Sequence, residues 1–444
     1  MNTTAQSGAA LSRQRRATVG AFVGTATEWY DFYIFGTAAA LVFGKVFYPG
    51  VAPGAALMAS FATFWVGFLA RPIGGAVFGH FGDRFGRKNV LVTTLLLMGV
   101  ATTCIGLLPS YAQIGVAAPI LLVVLRALQG LAVGGEWGGA VLLATENSAE
   151  GKRGWAGAWV QQGSPAGSIL ATLMFMLVSQ LPNDAFLSWG WRIPFLMSSV
   201  LVIVGLVIRA GVEESADFEA TRKSDAVVQQ PTIAVFRSVP GILFLGIIAS
   251  IMGISLAYFT NTFLLSWTTG SLGIERQTML NILLGMAVLQ FFWQPIAALI
   301  AERVGALKVM VGGLILTLIM VVPFFFAIGS ANPSTIAITL YVVTLGGTAY
   351  YALLANSLAS AFPANIRYSG VSLAYQLCSS LIGGSTPLVA QWILNNSDGS
   401  PWGVAIFFSV MLVATLIGVI GLSRAIEKRT SSNPDSAEAV SAVA

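Results

Sequence analysis

The chain has 444 residues, 56% of them hydrophobic and 9% charged, with a formal net charge of +5 and a mean hydropathy of +0.80. Soluble domains carry about a quarter charged residues, so a soluble enzyme is excluded. At roughly 20 apolar residues per membrane span, about 12 helical spans account for the hydrophobic fraction. The apolar runs are long and continuous, without the short alternating segments of a transmembrane barrel. Cys104 and Cys378 each sit inside such a run, where a thiol packs as a small apolar group and implies neither a disulfide framework nor a metal site.

In chain order the spans are expected at 18–46, 55–81, 89–108, 115–145, 154–181, 190–210, 239–269, 277–301, 307–329, 334–362, 368–395 and 402–424. No cleavable signal peptide is expected, because the first run is too long for an h-region and contains Glu28 and Asp31. Twelve spans place both termini on one side of the membrane. If that side is cytoplasmic, 18 of the 23 Lys and Arg residues fall in cytoplasmic segments and only Lys45, Arg192 and Arg276 in outside loops, a strong positive-inside pattern. The expectation is a multi-pass protein of the cytoplasmic (inner) membrane with both termini cytoplasmic. The net charge then marks topology rather than affinity for nucleic acid.

Ionisable residues within spans are costly in lipid and are functional candidates by default. Span one carries Glu28-Trp29-Tyr30-Asp31, which puts two carboxylates at i and i+3 on one helix face. Span two holds Arg71, which could pair with Glu136 or attract an anionic substrate. The loop after it reads Gly79-His80-Phe81-Gly82-Asp83-Arg84-Phe85-Gly86-Arg87-Lys88, and its histidine suits loop packing better than a proton relay. In span four, Arg126, Gln129, Val133 and Glu136 share one face. The polar faces of spans one and four should meet inside the first half. A carboxylate beside an arginine in a cavity can be switched by protonation, because burial and the cation push its proton affinity in opposite directions. The alternative is a permanent buried salt bridge that only joins the two spans.

The longest polar stretch, 211–238, reads as a cytoplasmic linker. The domain organisation expected is a tail over 1–17, a six-helix bundle over 18–210, the linker, a second six-helix bundle over 239–424 and a tail over 425–444. Weak repeats support two halves: Gly82-Asp83-Arg84-Phe85-Gly86 recurs as Ala301-Glu302-Arg303-Val304-Gly305, and Arg153 precedes Gln162 by the same nine residues that separate Arg367 from Gln376. Repeated halves around a central site are a common transporter plan. Candidate substrate contacts are Gln161, Gln162 and Ser164 in the first half. In the second they are Tyr258, Asn261, Trp267, Gln294, Tyr350, Tyr351, Asn356, Tyr375 and Gln376. Each of these could instead serve as packing or an interhelical hydrogen bond. Glycine pairs such as Gly75/Gly79, Gly134/Gly138 and Gly163/Gly167 have the spacing that lets helices approach closely.

The loop from Gly79 to Lys88 resembles the loop motif of the major facilitator superfamily. Glu28-Trp29-Tyr30-Asp31-Phe32, Ala70-Arg71-Pro72-Ile73-Gly74-Gly75, Gly134-Gly135-Glu136-Trp137-Gly138-Gly139 and Ser188-Trp189-Gly190-Trp191-Arg192-Ile193-Pro194-Phe195 resemble its metabolite:proton symporter family, nearest the shikimate-permease-like members. The resemblance implies an all-α membrane protein of twelve helices in two pseudo-symmetric six-helix bundles. It implies proton-coupled import of a small organic anion, such as a shikimate-like hydroxy acid or another carboxylate, by alternating access. Asp31 would carry the proton, Arg126 would tune it and Glu28 would be the second carboxylate, with Arg126 and Arg71 also facing substrate. Asp83, Arg84, Gly86, Arg87, Glu136, Glu146, Arg153, Glu302 and Arg367 would gate, with Asp83 latching near Arg367. The second-half loop departs from the family pattern at Glu302-Arg303-Val304-Gly305-Ala306-Leu307-Lys308, so gating there would rest on Glu302.

The partners expected are a small carboxylate, a proton and the lipid bilayer, with no nucleic acid, no cofactor beyond the proton as coupling ion, and a functional monomer. A proton-driven efflux antiporter shares this plan, but Gly163-Ser164-Pro165-Ala166-Gly167-Ser168 only loosely imitates the antiporter motif. Betaine or proline uptake ranks lower, since the C-terminal tail has no heptads. A non-transport membrane sensor would need an attached soluble domain, and no segment outside the spans is long enough for one.

Overall fold

A backbone in lipid has to satisfy its own N–H and C=O groups, and long apolar runs do so as helices. The computed structural model describes residues 22–85, 87–146, 161–210, 231–363 and 366–432; side chains at 79–80, 82–89, 91, 135–146, 208–210, 231–233, 368 and 429–432 lie outside that description. Among the described residues every regular element is helical. Span one covers 22–46; span two joins Pro53–Leu69 to Arg71–Phe85; spans three and four are Arg87–Leu107 and Ala117–Glu146. Span five is Gly163–Val178, and span six covers 183–210. Spans seven, eight and nine are Pro240–Gly270, Arg276–Val304 and Ala306–Gly329. Span ten is Pro333–Ala361, span eleven covers 367–395 and span twelve is Pro401–Ser432. Eight of these are long and apolar enough to cross a membrane unaided, and the bent pair of span six makes a ninth. The shorter spans three and five and the charged span one fill the remaining places in two six-helix bundles.

Local sequence sets the helix ends. Proline stands in the first turn of spans two, seven and ten, where its missing N–H costs nothing. Asn332 caps span ten by accepting from Ser334 N at 3.0 Å and Thr335 N at 3.4 Å. Gly305, at φ 96°, turns span eight into span nine, a conformation that disfavours any Cβ. The helix is interrupted for one residue in span two at Ala70 beside Pro72, in span nine at Met320 ahead of Pro323, and in span seven at Ser250, whose hydroxyl donates to Gly246 O at 2.8 Å. Single π turns interrupt span one at Ala39–Phe43, span six at Phe186–Gly190, span seven at Phe259–Leu264 and span eleven at Ser379–Gly383.

Three boundaries differ from the sequence expectation. The last eight residues of the expected linker, Pro231–Ser238, form a helix of their own. Span twelve runs to Ser432 instead of stopping at 424, because its polar end is a good helix former once an apolar stem nucleates it. Span six begins at Asn183, and its two pieces are bent by 41°. Arg192, expected in a loop, heads the second piece and donates to the carbonyls of Gly106 and Leu108 at the end of span three.

The halves meet along spans two and eleven, one and seven, and five and eight. Trp65 Nε1 donates to Ser380 O at 2.7 Å, and Ser380 Oγ donates back to Phe68 O at 2.7 Å. Near the membrane face opposite the basic loops, Arg276 Nη2 donates to Ser179 O at 3.0 Å and its guanidinium lies over the Phe186 ring at 3.8 Å.

Candidate functional site

The site is a buried polar layer between the two bundles, assembled around span four. Spans two and four approach until their backbones touch: a Cβ on Gly130 would strike the Gly67 carbonyl, one on Gly74 would strike Leu131 O, and one on Gly134 would strike Arg71 O. The contacting glycines are thus Gly67, Gly74, Gly130 and Gly134, a set that only partly overlaps the pairs picked from spacing. This close approach lays the Arg126 side chain against Gly67, where its Nε donates to Phe64 O at 3.3 Å.

Arg126 is fully buried and sits over four phenylalanine rings, at 4.1 Å from Phe35, 4.4 Å from Phe32, 5.0 Å from Phe64 and 5.8 Å from Phe68. Arg71 shares this aromatic shelf, 4.2 Å from Phe32 and 4.4 Å from Phe68. A guanidinium over a desolvated ring gains about 2 kcal/mol, which offsets part of the cost of removing it from water. The two arginines are close enough to feel each other's charge. Arg71 Nη1 crosses to the second half and donates to Ser379 Oγ at 3.3 Å. The Glu136 side chain, the alternative partner for Arg71, lies outside the described residues.

Asp31 and Arg126 are joined by a chain of hydrogen bonds that all run toward the carboxylate. Arg126 Nη1 donates to Gln129 Oε1 at 3.1 Å, Gln129 Nε2 to Thr102 Oγ1 at 2.6 Å, and Thr102 Oγ1 to Asp31 Oδ2 at 2.9 Å. Asp31 and Glu28 are both buried. Glu28 lies within electrostatic reach of Tyr258 and Tyr351 in the second half. Arg126 and Gln129 share one face, as their spacing predicts, whereas nothing in the sequence singles out Thr102. A neutral hydroxyl in an apolar run carries no signal until its neighbours are known.

The second half supplies neutral polar groups. Tyr258 packs on Phe64 and Phe68 at 5.3 and 5.0 Å and stacks with Trp29 at 6.4 Å. Asn261 Oδ1 accepts from Ser168 Oγ at 3.4 Å across the interface, and Tyr351 Oη lies 3.3 Å from Tyr375 Oη and bonds Gln161. Gln162 Nε2 donates to Phe291 O at 3.2 Å. A small pocket lies between spans seven, eight and ten, lined by Thr260, Asn261, Gln290, Thr348 and Tyr351 among others. Gln290 and Thr348 were not singled out from sequence, for the same reason as Thr102.

Several buried polar atoms of this layer have no hydrogen-bond partner in the protein: Arg71 Nε, Arg126 Nη2, Tyr258 Oη and the side-chain oxygens of Gln162, Gln294 and Gln376. Each such group costs about 1–3 kcal/mol, and the two guanidinium nitrogens among them are free to receive a polar or anionic group.

Other candidates fall elsewhere. Tyr350 donates to Ala249 O and ties span ten to span seven, and Trp267 packs at a tilt against Phe263 in an aromatic cluster. Asn356 is exposed and is not gathered with the buried set, since it lies on another face of span ten from Tyr351 and Thr348. Glu302 is also exposed. Arg367 Nε reaches Phe362 O at 3.5 Å. The side chains of Asp83, Arg84, Arg87 and Glu146, as well as Gly86 and Arg153, lie outside the described residues, so the expected latch does too.

The Major Facilitator Superfamily model matches residues 21–383. The chain is 42% identical over 404 residues to the Shikimate transporter of Escherichia coli (strain K12), covering 89% of this chain and 92% of that protein. It is 40% identical over 420 residues to the Inner membrane metabolite transport protein YhjE of the same organism, covering 92% and 94%. Among solved structures, a D-xylose-proton symporter superposes with a TM-score of 0.73 at 17% identity, covering 91% of this chain and 97% of that one, which speaks to the fold. The twelve-span helical plan and these likenesses agree, and the chain belongs to the major facilitator superfamily of membrane transporters.

Proposed function

We propose that this transporter is a proton-coupled symporter importing a small hydroxylated carboxylate across the cytoplasmic membrane by alternating access, with both termini in the cytoplasm. The observation that carries the reading is the pair of buried arginines, Arg71 and Arg126, each with a guanidinium nitrogen left without a partner, in a chain whose second half adds a pocket lined by neutral hydroxyl and amide groups. The arginines suit a carboxylate, and Asn261, Gln290, Thr348 and Tyr351 suit hydroxyls.

Charge balance supplies the coupling. The buried charged residues described are Glu28, Asp31, Arg71 and Arg126, which cancel when all are ionised. Protonating Asp31 leaves one positive charge uncompensated in a low-dielectric layer, a costly state that an incoming carboxylate relieves. Proton and anion therefore favour each other's binding, and the preference is reciprocal. The name of the shikimate relative supports the hydroxy-acid class.

The test is reconstitution into vesicles under an imposed pH gradient, with shikimate, hydroxybenzoate-like acids, dicarboxylates and betaine as probes. Gradient-driven accumulation of a hydroxy acid, with protons moving inward alongside it, is expected. Accumulation of betaine alone, carboxylate uptake indifferent to the gradient, or proton-driven export would overturn the reading.

A further inference from the structure

The hydroxyl of Thr102 is placed between two acceptors and one donor. It lies 2.9 Å from Asp31 Oδ2 and 2.8 Å from Met98 O one turn back in its own helix, and it receives Gln129 Nε2 at 2.6 Å. A threonine hydroxyl has one proton to donate, so it serves either the carboxylate or the helix carbonyl at a given moment. Which acceptor it serves depends on the charge of Asp31: an ionised carboxylate is the stronger acceptor, and a protonated one releases the hydroxyl to Met98 O. Met98 O offers the usual i−4 position for a threonine within a helix, so turning away leaves the hydroxyl proton satisfied.

We propose that Thr102, held in register by Gln129, is the positioning residue that sets how readily Asp31 takes up and releases its proton. This rests on the reading of Asp31 as the proton carrier and adds the device that tunes it. Asp31 lies within electrostatic reach of Tyr30 on its own helix and Arg126 on span four, Arg126 in turn feels Arg71 on span two and Tyr258 on span seven, and Glu28 lies one helical turn before Asp31. Tyr30 is committed to Pro194 O at 2.7 Å, and Arg126 reaches Thr102 through Gln129. The Thr102 hydroxyl is thus a direct and neutral handle on Asp31, one that can be removed without altering the charge of the site.

The test reads the proton on Asp31 directly and needs no substrate. Infrared difference spectra of the purified full-length protein in lipid, titrated with pH, follow the carboxylic C=O band that Asp31→Asn removes. Thr102→Val deletes the donor to the ionised form, and the midpoint of that band is expected to rise by about one pH unit. Thr102→Ser keeps the hydroxyl and should hold the parent midpoint to within about 0.3 unit, on the same constant. Thr102→Ala reports the same loss of donor should valine disturb packing, and Gln129→Leu should shift the midpoint by a smaller step. The inference is overturned by a midpoint in Thr102→Val and Thr102→Ala equal to the parent's, by an equal shift in Thr102→Ser, or by a titration that Asp31→Asn leaves unaltered. Failure of the symport reading shows separately, as gradient-driven uptake in vesicles that survives Asp31→Asn.

Discussion

The two halves of the molecule bury polar layers at the same interface but of opposite kinds. Among the described residues every buried charge, Glu28, Asp31, Arg71 and Arg126, belongs to the first half, whereas the second contributes Asn261, Gln294, Thr344, Thr348 and Gln376. The helix pairs beside them differ in parallel, although the second half too has backbone-to-backbone glycine contacts, such as Gly313 with Gly346 between spans nine and ten. Spans two and four touch backbone to backbone through glycine, while spans eight and ten are joined by large side chains: Trp293 Nε1 donates to Leu345 O at 2.9 Å, and Tyr341 lies against Gly285. Close backbone contact is what lets arginines lie flat on phenylalanine rings and be held by short hydrogen bonds, as buried charge demands. Neutral groups tolerate a looser wall and leave room for a pocket. On the proposed function, the first half handles charge and the second recognises shape and hydroxyls.

Breaking the first half's packing should have the largest effect. Gly130→Ala drives its Cβ into the Gly67 carbonyl, and neither backbone can yield, so folded protein should be lost from size-exclusion profiles. The matched change in the second half, Gly285→Ala, meets only the flexible end of Tyr341 and should leave yield near the parent's. Comparable losses from both would erase the distinction.

Next in size is Asp31→Asn, which should abolish proton-driven accumulation while leaving substrate exchange measurable; undiminished uphill uptake would remove Asp31 from coupling. Arg126→Ala should likewise damage transport far more than Arg222→Ala in the segment between the halves, and equal activities would reduce Arg126 to scaffolding.

The halves should then separate by substrate chemistry. Arg71→Gln is expected to weaken apparent affinity for a carboxylate by about 10–100-fold, the worth of a charge-assisted hydrogen bond. Asn261→Ala should weaken it by only about fivefold, the worth of a neutral one. Transport assays with a carboxylate and its amide analogue would check this, since only Arg71→Gln should lose the preference for the anion. At the small end, Asn356→Ala should stay within about twofold of the parent, as expected of an exposed position; a large loss would place Asn356 in the transport path after all.

Much of this was legible in the chain. The apolar runs located the spans to within a few residues in most cases, and the scarcity of charge within them pointed straight to Glu28, Asp31, Arg71 and Arg126. Spacing by three placed Gln129 beside Arg126, and the structure joins them by a hydrogen bond. Neutral partners were not legible. Thr102, Gln290, Thr348 and Ser379 are ordinary polar residues in apolar helices, and Tyr350 and Trp267 looked as suitable for substrate as Tyr351 and Tyr258. The glycine pairs chosen by spacing missed Gly67 and Gly130, because contact between two helices depends on where they cross, and spacing along one helix does not reveal that.

The sequence by itself determined that the protein is a helical membrane bundle, where its charges sit along the spans and, through the distribution of Lys and Arg, the topology to be expected. These follow from transfer energies summed over single segments, which need no knowledge of neighbours. Only the tertiary structure decided that Arg126 reaches Asp31 through Gln129 and Thr102, that Arg71 crosses to Ser379, and that Tyr351 faces the pocket while Asn356 does not. Those pairings depend on the rotation and crossing of whole helices, set by glycine contacts between residues 57 to 63 positions apart, and no local period encodes them.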